Sequence, residues 1–466
     1  MICVSVSGRN PDEVIRKAVS AERRGARLIE IRIDSLDEPS PEQLVKISAS
    51  IHAEKIVTLK GRSVGLLSSP EAASLFAPFR FVDIDLSDAE TLSIPDWLRP
   101  KLVVSHHGRI DSAADAEKII LKELHYGRIA KCVSTSHSFR SASEMLHCIP
   151  ERAEGRAIAF SMGKFGMLTR IASMRRNDPW CYASLGMDER TAEGQLSLEE
   201  MMDVENGFLL LLIGRSVSHS LSPLIQNFAL KSCGLKGLYL PFDVEDAGDL
   251  PFFFINAREA GARGVNVTMP YKETVLRYID EVPSEIRRIG AVNTVVNKSG
   301  VLTGYNTDYT AFRKVTEAMD PGSALIFGAG GAARAAVAAL EDWKITVISR
   351  DRRRVEALLD SFNLPHLAHV PGRRYDLLVN CTPIGMEGKD DVLPHEISAD
   401  SFGSVIDFVY SDTERPFRRF AEERGCDYTG GEKILAIQAA ESFRLWTGRE
   451  APVSDMIAML TGGKNL

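Results

Sequence analysis

Short β-rich runs recur at fairly even intervals through the first ~200 residues, separated by amphipathic stretches such as Pro11–Arg24 and Ala113–Leu124. The pattern predicts strands at Ile2–Val6, Leu28–Ile33, Lys55–Leu59, Phe81–Leu86, Leu102–Ser105, Ile129–Val133, Ala157–Phe160 and Cys181–Leu185. Eight β/α units in series constrain the fold more than any other feature, because eight parallel strands close into a TIM barrel. The expectation is a compact (β/α)8 barrel. An open doubly wound sheet is the alternative, since strand number alone does not enforce closure.

A barrel places its chemistry at the carboxyl ends of its strands. Polar residues fall there. Glu30, Arg32 and Asp34 lie along or after the second run, Lys60 and Arg62 after the third, and Asp83 and Asp85 near the end of the fourth. Ser105, His106 and His107 end the fifth, Lys131 lies on the sixth, Ser161, Met162 and Gly163 end the seventh, and Thr191 and Gln195 follow the eighth. Lys131 interrupts the short apolar run Ile129-Ala-Lys-Cys-Val133. A strand buried among strands rarely carries a lysine unless the amine pairs or reacts. Desolvation lowers a lysine pKa, and a neutral amine attacks ketones to form a Schiff base. The bland reading is a lysine at a strand end with its head in water; the polar residues on the neighbouring strand ends weigh against it. His107 is the candidate proton shuttle, because imidazole titrates near working pH. Glu30 and Asp85 are expected to orient or polarise it, and His106 to face the other way. Arg32, Lys60, Arg62 and Arg170 are candidate carboxylate clamps.

The second half begins near Asn206, and Phe208–Ile213 predicts a buried strand. Further on, Ala324–Phe327 leads straight into Gly328-Ala-Gly-Gly-Ala-Ala-Arg-Ala335, then a helical stretch and a strand at Ile345–Ile348. Strand, glycine turn, helix and strand form a Rossmann opening, in which Gly328, Ala329, Gly330, Gly331 and Ala332 bring backbone amides to a pyrophosphate. The second strand ends in Ser349-Arg350 rather than in an acidic residue. Arg350, with Arg353 or Arg354, suits a 2′-phosphate, so NADP is expected over NAD. A solvated helix start accounts for at least one of Arg352, Arg353 and Arg354. Upstream, hydroxyls, amides and a Lys/Asp pair cluster in Ser216–Pro223, Asn266–Lys272, Ala291–Thr294 and Gly304–Asp308. They suit a small polyhydroxy acid better than an apolar ligand.

With 466 residues the chain exceeds one ordinary core, so two domains are expected. Hydrophobic content of 44% and charged content of 26% describe a soluble globular protein, and a net charge of −7 argues against nucleic-acid binding. Seven scattered cysteines without a Cys-x-x-Cys pair suit a reducing cytoplasm and give no zinc site. No apolar run reaches membrane-spanning length, the N-terminus does not read as a signal peptide, and no oligomeric state is specified.

Ile-Glu-Ile-Arg-Ile-Asp34, Val-Val-Ser-His-His107, Ile-Ala-Lys131, Ser-Met-Gly163 and Thr-Ala-Glu-Gly-Gln195 resemble, in order and spacing, the type I 3-dehydroquinate dehydratases over residues 1–205. The resemblance implies a metal-free syn elimination of water through a covalent lysine Schiff base. Lys131 would form the imine with 3-dehydroquinate, His107 would move the proton, and Glu30 would orient both substrate and histidine. Arg170 and Gln195 match carboxylate-binding positions, and Thr191 matches a hydroxyl on the closing loop. Three positions depart from the family pattern: Lys60 stands for an arginine, Asp85 for a glutamate and Glu193 for a proline.

The second half resembles shikimate dehydrogenase over residues 207–466, through the motifs above together with Asn380-Cys-Thr-Pro-Ile-Gly-Met386 and the Gln438 segment ending Leu-Trp-Thr-Gly448. The resemblance implies a two-lobed α/β dehydrogenase. Residues 207–308 would be mainly a substrate lobe and 309–440 mainly a Rossmann NADP-binding lobe, with C-terminal helices returning to the substrate lobe. Lys272 and Asp308 become the catalytic pair, and Ser220 and Ser222 the carboxylate-binding serines. Thr268, Asn293 and Gln438 become contacts to ring hydroxyls. Ser349, Arg350 and Arg354 join the glycine loop at NADP, and Asn380, Thr382 and Met386 border the nicotinamide. Near the end, Glu432-Lys433-Ile434-Leu435 departs from the usual Met-Leu pattern, which implies a different lid over the substrate. The product of the first reaction, 3-dehydroshikimate, is the substrate of the second. The alternatives are a quinate/shikimate dehydrogenase with an accessory barrel, and a non-catalytic metabolite-binding protein.

Overall fold

Each of the eight candidate runs of the first half forms a strand in the computed structural model: β1 (Ile2–Val6), β2 (Leu28–Arg32), β3 (Glu54–Leu59), β4 (Phe81–Asp85), β5 (Leu102–Gly108), β6 (Ile129–Thr135), β7 (Ala157–Met162) and β8 (Cys181–Ala183). The structure describes residues 1–189, 192–386, 392–410 and 415–462. The eight strands hydrogen-bond in the order β7-β6-β5-β4-β3-β2-β1-β8, all parallel. No ladder joins β7 to β8 among the described residues, so the barrel is nearly closed rather than sealed.

Strand periodicity explains where its chemistry sits. Cys3, Leu28, Ile56, Phe81, Val103 and Ile129 pack together as one apolar layer of the barrel interior. Two residues further along each strand, and hence on the same face, come Ser5, Glu30, Thr58, Asp83, Ser105 and Lys131, every one of them buried. The apolar layer closes the barrel floor, and the polar layer lies above it, towards the carboxyl ends.

The chain folds as two compact units, Met1–Gly207 with Gly248–Ala262, and Phe208–Ala247 with Arg263–Leu466. The second unit holds two sheets. The first is β9 (Phe208–Gly214), β10 (Gly237–Asp243), β11 (Gly264–Val267), β12 (Thr294–Lys298) and β13 (Val301–Tyr305), ordered β10-β9-β11-β12-β13. The apolar run at Phe208–Ile213 is explained by its position, between two parallel neighbours. The helix Gly431–Thr447 packs on this sheet through Ala436, Ala439 and Phe443, and its Trp446 donates from Nε1 to the Val295 carbonyl at 2.9 Å. A Cβ at Gly264 would lie 2.1 Å from that indole nitrogen, so only glycine admits the ring.

The other sheet is parallel throughout: β14 (Ser323–Phe327), β15 (Lys344–Ile348), β16 (Arg374–Asn380), β17 (Ser401–Asp407) and β18 (Asp427–Thr429), ordered β15-β14-β16-β17-β18. Strand order reverses between β14 and β16, the switch point at which doubly wound sheets bind ligands. The glycine loop at Gly328 and the Asn380–Met386 segment both start at that point.

Candidate active sites

Lys131 is 5% exposed, and its Nζ donates to Glu30 Oε1 and to Asp83 Oδ2, each at 2.9 Å. The ammonium also lies 4.4 Å from the centre of the Tyr182 ring. Burial pulls the amine down, but the fields of Asp83 and Glu30 outweigh it and hold Lys131 well above its ordinary value. This corrects the expectation of a desolvated neutral amine: the resting group is an ammonium. The two carboxylates differ. Burial works against Glu30, yet the charges of Lys131 and Arg32, with a 2.6 Å bond from Ser5, bring its carboxyl down to about 2. Burial prevails at Asp83 and raises its carboxyl, the Glu30 charge adding to the effect against Lys131. Asp83 Oδ1 has no hydrogen-bond partner among the described residues. Asp83 is therefore the better proton acceptor beside the amine, a part that sequence reasoning missed.

Asp85 does something else. Its side chain caps the helix Leu86–Thr91 by accepting from the Ser87 amide at 3.1 Å, and lies 3.9 Å from the Lys60 amine. It is Lys60 that meets His107, with Nζ 3.3 Å from Nδ1. Burial and the charges of Lys131 and Lys60 push the His107 imidazole down to about 2, so it is neutral and able to take a proton. Removing Lys60 removes one of these charges. Lys60→Ala is expected to raise the His107 pKa and move the acid limb of the kcat/KM profile of the barrel reaction to higher pH, by about one unit. A pH–rate profile with an unmoved limb would separate Lys60 from the histidine.

A cavity is lined by Ser5, Glu30, Arg32, His107, Lys131, Val133, Phe160, Met162, Arg170, Tyr182, Ala192 and Gln195. It brings together six of the barrel residues expected from sequence. Arg170, on the helix Met167–Arg175, is 4% exposed and lies over the Phe160 ring at 4.4 Å, and its Nε has no hydrogen-bond partner among the described residues. Burial lowers it to about 10, which leaves it charged at neutral pH. A buried guanidinium with no carboxylate partner among the described residues is suited to receive an anion. Arg32 has its partner, Asp34, at 2.7 Å. Arg62 is exposed and does not line the cavity, which corrects its expected part as a clamp. Thr191 lies outside the described residues. The loop of Ala192–Gln195 rests on the end of β7: the Gly163 amide donates to the Glu193 carbonyl at 3.2 Å, and a Cβ at Gly194 would lie 2.3 Å from the Gly163 carbonyl.

In the second unit, Lys272 Nζ donates to Asp308 Oδ2 at 2.6 Å, with both side chains largely buried. Asp308 stands in the first turn of the helix Thr307–Thr316, whose Asn306 cap accepts from the Tyr309 amide. Asn293 donates to Thr307 Oγ1 at 3.0 Å and to Gln438 Oε1 at 3.5 Å, tying two expected contacts to the turn that carries Asp308. Thr268 lies just past β11, its amide bonded to the Ile213 carbonyl at 2.9 Å. Ser222 lies beside Tyr239, whose hydroxyl donates to Asn266 Oδ1 at 2.8 Å, and Ser220 lies beside Tyr410, which also feels the charges of Lys272 and Asp308. Sequence reasoning missed Tyr410. Its signal is its place after β17, at the carboxyl end of a parallel strand.

The glycine loop fits a dinucleotide. The helix Gly331–Ala339 starts at Gly330 with no side-chain cap, so its first amides are free for an anion. A Cβ at Gly330 would meet nothing within 4 Å, and one at Gly331 would lie 3.1 Å from the Lys272 side chain, which therefore borders the loop. Ser349 and Arg350 follow β15, whose Ile348 carbonyl accepts from the Gly328 amide at 2.8 Å; Arg350 is exposed and has no ion pair among the described residues. Arg354 departs from expectation, since it is paired with Glu273 at 3.0 Å. So does Asn380: it donates to Asp407 at 2.8 Å and accepts from Thr382 Oγ1 at 2.7 Å, which makes it a brace for the loop running to Met386.

The family model for type I 3-dehydroquinase matches residues 2–206, and the models for the shikimate dehydrogenase substrate-binding and C-terminal domains match residues 212–295 and 431–460. A shikimate dehydrogenase (NADP(+)) of Streptococcus pneumoniae is 34% identical over 273 residues, 54% of this chain and 96% of that protein. The chain belongs to the shikimate dehydrogenase family. Among solved structures, the shikimate 5-dehydrogenase of Thermus thermophilus in complex with NADP(H) and shikimate is 37% identical over 55% of this chain and 100% of that one, with a TM-score of 0.50. A chorismate mutase/shikimate 5-dehydrogenase fusion protein from Clostridium acetobutylicum is 30% identical over 55% of this chain and 98% of that one, with a TM-score of 0.51. A type I 3-dehydroquinase domain, of lyase type, and shikimate dehydrogenase domains, of oxidoreductase type, are thus both present in the chain. Among the described residues no helix is long and apolar enough to cross a membrane.

Proposed function

We propose that the barrel cavity dehydrates 3-dehydroquinate and that the second unit reduces the resulting 3-dehydroshikimate to shikimate with NADPH. One observation carries the reading: a buried lysine between two carboxylates shares its cavity with a neutral histidine and an unpaired buried arginine. These are the parts of an imine-forming elimination on a carboxylate substrate. Asp83 takes one proton from Lys131, and the free amine adds to the C3 ketone. The carbinolamine loses water to give an iminium, which acidifies the neighbouring C2–H. His107 removes that proton, then returns it to the C1 hydroxyl as it leaves as water, and hydrolysis of the imine frees the product. Arg170 and Gln195 hold the substrate carboxylate, with Arg32 at the rim and Glu30 fixing Lys131 from below.

At the second site NADPH supplies the hydride. Lys272 gives a proton to the reacting oxygen, Asp308 holds the amine in place, and Asn293, Gln438 and Thr268 orient the ring hydroxyls. Ser220 and Ser222 take the carboxylate, with Tyr410 beside them. Arg350 takes the 2′-phosphate, and Arg354 joins it once released from Glu273. Arg350→Ala should raise KM for NADPH at least about tenfold more than for NADH, the equivalent of one charged phosphate contact; an unchanged NADPH-to-NADH ratio removes Arg350 from that site. The seven cysteines are all free, which supports a cytoplasmic location.

The reading is tested by giving the full chain 3-dehydroquinate and NADPH and weighing the product. Shikimate supports both sites acting in series. Quinate, heavier by one water, would mean direct reduction and would overturn the proposed order.

A further inference from the structure

Glu273 follows Lys272 directly, yet its carboxylate points to the cofactor side, where it accepts from Arg354 Nη2 at 3.0 Å. Arg354 is fixed in the first turn of the helix Arg352–Ser361, because Asp351 caps that helix by accepting from the Arg353 and Arg354 amides. Arg334, on the helix that starts at the glycine loop, also lies in the field of Glu273 and is anchored by Nε donation to the Ile289 carbonyl at 2.6 Å. One acidic side chain thus stands between arginines from both helices that flank the glycine loop.

We propose that Glu273 competes with the 2′-phosphate of NADP(H) for the Arg354 guanidinium. The inference rests on the reading of Arg354 as a phosphate ligand and adds a rival for it within the chain. A carboxylate and a phosphate offer a guanidinium the same pair of acceptor oxygens, so occupation by one excludes the other. The pair is half exposed on both sides and correspondingly weak, so a phosphate displaces it at a small penalty. A cofactor without the phosphate leaves the pair intact and incurs none. Glu273 therefore narrows the margin by which the phosphorylated cofactor is preferred, and it does so from the residue next to the catalytic lysine.

Isothermal titration of the full chain with two probes, 2′,5′-ADP and 5′-ADP, tests this without turnover. Glu273→Gln should tighten 2′,5′-ADP by about two- to fivefold, the scale of an exposed ion pair, and leave 5′-ADP unchanged. The gain should shrink as salt is raised and vanish in the Arg354→Ala background. If Arg354→Ala weakens 2′,5′-ADP while Glu273→Gln leaves it unchanged or weaker, the competition is overturned and the phosphate site stands. Equal tightening of both probes would mean a general charge effect and also overturns it. If Arg354→Ala leaves 2′,5′-ADP unaffected, Arg354 is not a phosphate ligand and the underlying reading fails with the inference.

Discussion

Lys131→Ala is expected to cut dehydration of 3-dehydroquinate by at least about a thousandfold, because it removes the nucleophile rather than a contact. Reduction of 3-dehydroshikimate in the same sample should stay within about twofold, since Lys131 belongs to the other compact unit and independent sites add without coupling. The substitution also strips Glu30 and Asp83 of the ammonium they share, and breaking a buried ion pair costs about 3–5 kcal/mol. Lost activity alone would then mix chemistry with weakened folding. Borohydride trapping on the unaltered chain separates them. Reduction in the presence of 3-dehydroshikimate should fix a covalent adduct on the peptide containing Lys131 and end dehydration while reduction continues. An adduct on any other lysine, or none, would refute the imine.

Lys272→Ala is expected to do the converse. Reduction should fall by about 100- to 10,000-fold, the range for a positioned acid or base, with dehydration unchanged. The Lys272–Asp308 bond of 2.6 Å gives the loss a second signature. Asp308→Asn keeps the shape but not the charge, so it should lie between the two in rate and bind NADPH normally by fluorescence titration. If Lys272→Ala weakened NADPH binding and left the rate at saturation intact, the lysine would be a cofactor contact and not the proton donor.

Much of this was legible in the sequence because strands repeat every two residues. The eight runs, the inward position of Glu30 and Lys131, and the glycine loop after β14 follow from period and motif alone. Depth within the barrel does not. Asp83 and Asp85 share a face, and which of them reaches Lys131 depends on the stagger between β4 and β6, set by two ladders through β5. The ammonium state of Lys131 is hidden for the same reason: residue type predicts desolvation, but the opposing charges arrive from β2 and β4, 101 and 48 residues away. Arg354 and Arg350 look alike in Ser-Arg-Asp-Arg-Arg-Arg354, and only the fold finds Glu273, 81 residues upstream, against one of them. Arg62 reads as a strand-end clamp, but the chain turns after Lys60 and leaves it in solvent.

Arg170 has a consequence beyond catalysis. A charged guanidinium buried with no counter-ion among the described residues works against folding. An acidic substrate bound as proposed would supply the missing charge and in that sense complete the core. Its stabilising effect then grows with the logarithm of its concentration above Kd. With substrate bound the barrel is then expected to resist heat and proteolysis better than without it, which thermal unfolding with and without 3-dehydroshikimate would check.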